Sequence, residues 1–139
     1  MVVVLLTGCS SQASNPPIVD IQLYQQWQLQ PGDTIAGRSV TGGLGDISIE
    51  LDGNAVYAPF DGKVDPTKAN CVLFSSPDVP GYLFRFCGLT APKLGDVLQG
   101  DPIGTGNHLE FAALRKQSDG RWAMVEPAKS ILERTLRKP

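Results

Sequence analysis

The sequence predicts an all-β domain closed by one short C-terminal helix. Apolar residues recur with period two in short runs, most cleanly over residues 46–51, where Ile47, Ile49 and Leu51 share one face. Fifteen glycines and eleven prolines stand mostly singly between such runs, which is the spacing of turns between short strands. Only the last residues carry a helical stripe.

Taken in order, the chain opens on Met1-Val2-Val3-Val4-Leu5-Leu6-Thr7-Gly8-Cys9, followed by small polar residues. This run resembles a bacterial lipoprotein signal, cleaved before a cysteine that becomes acylated. It departs from that pattern in having no basic residue before Val2 and a short apolar stretch, too short to span a bilayer; a buried first strand is the other reading. On the lipoprotein reading residues 1–8 are removed and Cys9 anchors an exported protein on the periplasmic or lumenal side of a membrane. Residues 9–17 end in Pro16-Pro17 and suit a flexible tether. Residues 18–30 form an extended arm with Tyr24 and Trp27 among its glutamines.

The domain itself is expected over residues 31–139. Pro31-Gly32-Asp33 is a turn, and glycines 37, 42, 43 and 45 precede the 46–51 strand. Asp52-Gly53-Asn54 signals a tight hairpin into a strand over 55–58. Pro59-Phe60-Asp61-Gly62 turns the chain into Lys63-Val64, and strands over 72–74 and 82–86 flank a loop of prolines, aspartate and glycine. Gly95-Asp96 and Gly100-Asp101 divide the next stretch into two short strands. Residues 108–114 alternate again, and Ser118-Asp119-Gly120 turns them back into 122–125. The helix is expected with Pro127 at its first position, an apolar stripe of Ile131, Leu132, Thr135 and Leu136, and Arg134, Arg137 and Lys138 where the helix dipole favours cations. Some eight to ten strands result.

Twelve basic and fourteen acidic residues give a net charge of −2 without a basic block, which argues against a nucleic-acid partner. Besides Cys9 there are two cysteines, Cys71 and Cys87, in strand-like stretches joined by a loop. In an exported chain this pair is a disulfide candidate, with two buried thiols as the alternative. Closing that loop would contribute about 3 kcal/mol.

The one histidine, His108, sits in Gly106-Asn107-His108-Leu109-Glu110-Phe111. Three further stretches precede it in order: Gly45-Asp46-Ile47, residues 56–64 around Ala58-Pro59-Phe60-Asp61-Gly62, and residues 93–104 with their repeated Gly-Asp. Together the four resemble the M23 (LytM-like) peptidases, over roughly residues 31–126. The resemblance implies a LytM/M23-like β-sandwich of the barrel-sandwich hybrid type that cleaves peptidoglycan peptides with zinc. The metal is held there by the His and Asp of His-x-x-x-Asp and by the second His of His-x-His. The first His of that pair, with another upstream, handles the water and the oxyanion.

Mapped residue by residue, Asp46 matches the aspartate and His108 the first His of the pair, but Gly42, Glu110 and Gly88 stand where imidazoles belong. Zinc needs about three protein ligands, and two carboxylates without an imidazole or thiolate select it poorly. The expectation is no metal, no cofactor and no catalysis, with His108 hydrogen-bonded to Asp46 or Glu110 and Asp46 securing a turn. No nucleophile elbow, phosphate loop or Cys-x-x-Cys offers other chemistry, and Pro59-Phe60-Asp61-Gly62 carries no lysine at its tip for a biotin or lipoyl group. The functional expectation is a lipid-anchored envelope protein that binds peptidoglycan, or recruits a cell-wall amidase, around Asp46, His108 and Glu110. The alternative is an accessory subunit of a membrane complex, docking through Tyr24, Trp27 and the terminal helix.

Overall fold

The computed structural model describes residues 28–43 and 46–139. The signal-like segment with Cys9, the tether, the arm through Trp27, and Leu44 and Gly45 lie outside them. Among the described residues the chain is all-β with one helix. In order it forms β1 (Thr34–Ile35), β2 (Arg38–Gly42), β3 (Ile47–Glu50), β4 (Ala55–Tyr57), β5 (Gly62–Pro66), β6 (Cys71–Ser75), β7 (Tyr82–Cys87), β8 (Gly95–Val97), β9 (Pro102–Thr105), β10 (His108–Lys116), β11 (Trp122–Val125) and α1 (Lys129–Leu136). The larger sheet is antiparallel and runs β1-β2-β3-β10-β7-β6-β5-β8, with β11 also on β10; β4 and β9 form a second, two-stranded sheet.

Alternation decides which side of the large sheet is buried. Ile47 and Ile49 of β3, Val72 and Phe74 of β6, Phe84 and Phe86 of β7, and Leu109 and Phe111 of β10 all face inward. Against them pack Val56 of β4, Ile103 of β9, and Leu132 and Leu136 of α1. Four phenylalanines make the centre: Phe111 lies 5.1 Å edge-on from Phe86 and 5.8 Å from Phe84, with Phe74 at 6.3 and 6.5 Å from Phe84 and Phe86. Each such side chain, fully buried, contributes about 1.5–3 kcal/mol.

The structure corrects the sequence reading at four places. The turn Leu51 to Asn54 forms, with Asp52 and Gly53 at φ of 53° and 79° and the Asn54 N–H donating to Leu51 O at 2.9 Å, but it is not a hairpin. The N–H groups of Leu51 and Gly53 bond the carbonyls of Asn107 and Gly106, so the chain leaves the large sheet and β4 pairs β9 instead of β3. Strands β1 and β2 occupy residues 34–42, to which the sequence reading assigns no strand, and the described strands number eleven. Pro127 precedes the helix, since Ala128 is the N-cap. Leu29, at the end of the expected arm, is already part of the domain: its N–H donates to Glu126 Oε2 at 2.9 Å and its side chain packs on the core.

Cys71 and Cys87 are joined by a disulfide. They are direct cross-strand partners on β6 and β7, with Cα atoms 4.1 Å apart, so pairing of the strands alone brings the sulfurs together. Among the described residues no helix is long and apolar enough to cross a membrane. Replacing both cysteines by alanine is expected to lower stability by about 3 kcal/mol in urea unfolding; an unchanged midpoint and slope would show that strand pairing alone carries this region.

Candidate functional site

The residues singled out in the sequence fall on the solvent face of the large sheet, and the register arranges them in rows. One row crosses five strands: Gly42 of β2 faces Ser48 of β3, Ser48 faces Glu110 of β10, Glu110 faces Cys87 of β7, and Cys87 is bonded to Cys71 of β6. The preceding row holds Glu50 opposite His108. The following row holds Ala112 opposite Arg85, and Asp46 enters it one step beyond the Ile47 and Phe111 pair. A fourth row is apolar: Met124, Leu114 and Leu83. The strands thus do bring Asp46, His108, Glu110, Gly42 and Gly88 to one neighbourhood, spread over three rows and the adjoining turn.

Within it Asp46 is already engaged. Arg85 Nη2 donates to Asp46 Oδ1 at 2.6 Å, with about 30% of each side chain exposed. The pair spans Ala112, whose methyl is fully buried although it points to the solvent face; a larger side chain there would block the contact. Arg85 Nε, on the same guanidinium, is buried and has no hydrogen-bond partner among the described residues. The expected contact of Asp46 or Glu110 with His108 is absent: no hydrogen bond of the His108 side chain occurs among the described residues. For Asp46 the reason is spacing, since the Ala112 row it joins is four residues beyond His108, about 13 Å along an extended strand. Among the described residues the partner of the Asp46 carboxylate is Arg85, and the turn through Leu44 and Gly45 lies outside them.

Sequence reasoning missed Arg85. The signal was present: Arg85 is the one charged residue in the run 82–87 and stands at the outward phase, between the buried Phe84 and Phe86.

Gly88, which the resemblance places where an imidazole would stand, is constrained by its own backbone. Its φ is +94°, and a Cβ there would lie 2.6 Å from the His108 carbonyl oxygen; a Cβ on Gly106 would in turn lie 2.7 Å from Gly88 O. The two backbone segments touch with no room for any side chain. Gly42 is less constrained, since a Cβ would meet Ser48 Oγ at 3.2 Å. These residues do not fit a zinc site: the guanidinium holds Asp46, Gly88 admits no ligand, and among the described residues no three His, Cys, Asp or Glu side chains converge.

Among the described residues two cavities lie elsewhere: one of about 550 Å³ between α1 and the Gln99-Gly100 turn, one of about 480 Å³ lined by Val79, Tyr82, Phe84, Val125 and Ile131. Neither touches Asp46, His108 or Glu110. Glu50 and Glu110 form no ion pair among the described residues, so the face carries two uncompensated carboxylates beside one neutralised pair.

The chain matches no protein-family model and none of the curated proteins.

Gly88→Ala is expected to destabilise by about 2 kcal/mol or more, combining positive-φ strain with the carbonyl clash. Gly120→Ala, at φ +87° with open space around it, supplies the strain alone, about 1 kcal/mol. Equal losses in paired urea titrations would mean that the close approach of Gly88 to His108 is dispensable.

Proposed function

We propose that the chain is a non-catalytic, exported envelope protein, anchored by a lipid on Cys9, whose M23-like domain binds on the former active-site face without cutting. The pairing of Asp46 with Arg85 carries this reading. In the family it resembles, that aspartate neutralises a metal cation; in this chain a side-chain cation from β7 takes the charge, and it can neither lower the pKa of a water nor act as a Lewis acid. The disulfide agrees with an oxidising, extracytoplasmic location.

Of the two ligands the resemblance suggests, the face suits a protein partner such as a cell-wall hydrolase better than a peptidoglycan fragment. Small ligands take concave pockets that enclose most of their surface; here rows of outward side chains lie on a sheet face, with the apolar Met124, Leu114 and Leu83 next to the Arg85 and Asp46 row and the carboxylates of Glu110 and Glu50 beyond it. Protein interfaces combine such apolar centres with polar rims.

Elemental analysis of the purified chain with a muropeptide digestion assay tests the non-catalytic part; stoichiometric zinc accompanied by cleavage would sink it. A pull-down against purified cell-wall hydrolases and against sacculi, repeated with Leu114→Asp, tests the binding part. Hydrolase capture lost in that variant supports the reading. A stable integral-membrane assembly recovered with no affinity for either would favour the accessory-subunit alternative.

A further inference from the structure

We infer that the outer edge of β8 is a second docking site, which takes an extended segment of a partner protein carrying a basic residue flanked by apolar ones. β8 ends the large sheet and among the described residues pairs only with β5. One line of its N–H and C=O groups therefore has no strand partner there, the condition under which another chain can add a strand.

The side chains point to the same edge. Among the described residues only two large apolar side chains are exposed, Leu94 at 50% and Leu98 at 65%, and they bracket this strand. A single exposed leucine is ordinary. Both exposed leucines falling beside an unpaired edge, in a domain whose other described large apolar side chains are buried or half-buried, supply apolar contact next to hydrogen-bonding groups without a strand partner. Natural edges are blunted by short length, lysine, proline or bulges; this one is only three residues long and has Gly95 at φ +93°, but between the leucines it carries neither lysine nor proline, and its one charge is Asp96. Alternation places Asp96 and Leu98 on the face opposite the buried Val97.

Asp96 selects the occupant. Its cross-strand neighbour Lys63 directs its ammonium to Asp65 at 3.8 Å, and Asp96 has no ion pair among the described residues. A second copy of β8 added antiparallel about the strand centre would set Asp96 against Asp96, which is unfavourable, whereas a lysine or arginine there is favoured. The edge thus fits a partner strand of apolar, basic, apolar pattern. It lies three strand spacings from β7, about 14 Å, so this site and the face around Arg85 can be filled together.

The test uses the full chain with Cys9→Ser and two short, end-blocked peptides of alternating threonine and leucine, one with a central lysine and one with a central glutamate, followed by fluorescence anisotropy. The lysine peptide is expected to bind about fivefold tighter, Asp96→Lys to reverse that preference, and Leu98→Thr to weaken both. Amide exchange should slow at Gly95–Val97 on binding. Failure of both peptides to bind, a preference unmoved by Asp96→Lys, or protection falling instead on the edges of β1 or β11 would overturn the inference.

Discussion

Phe111 against Phe86 and Phe84 is the contact on which the rest depends. It fixes the register of β10 on β7, and because side chains alternate, a slip of one residue would turn every outward group of β10 into the core. With Leu109 and Phe111 inside, His108, Glu110 and Ala112 must face solvent, and Glu110 must stand in line with Ser48 and the disulfide. The same register brings Arg85 beside Ala112, from where it reaches Asp46. The aromatic cluster inside and the ion pair outside are two faces of one alignment.

The period-two strands were legible for this reason. Residues 46–51, 72–74, 82–86 and 108–114 each bury one phase, and an apolar alternation of that kind has one way to pack. What was not legible was partner choice. The turn at Asp52-Gly53 was readable from residue type, yet which strand β4 joins is set by the carbonyls of Gly106 and Asn107, far away in sequence. β1 and β2 were hidden because each is short and holds a single buried apolar residue, Ile35 or Val40, which makes no alternation to read. Gly88 looked like a deletion of chemistry, and its actual constraint, the approach of the His108 carbonyl, is a tertiary contact with no local signature. Arg85 was visible as a charge in an apolar strand, but its meaning required knowing that β3 lies one strand beyond β10.

The chemical consequence follows from what a guanidinium is. It is permanently charged, planar and carries donors only, so it can neutralise a carboxylate and orient it but offers no exchangeable coordination position. An Asp46 held in this way is locked in place as part of a surface. On our reading, that converts a face which resembles a hydrolase centre into one suited to recognition, with its remaining carboxylates, Glu50 and Glu110, free to meet a partner.

The most direct test of this account is a double-mutant cycle on Arg85 and Asp46, using Arg85→Leu, Asp46→Leu and the pair together in urea unfolding. With the ion pair as the organising contact of the face, the account predicts a coupling of about 1 kcal/mol, the upper end for a pair this exposed. Strict additivity of the two substitutions would contradict it.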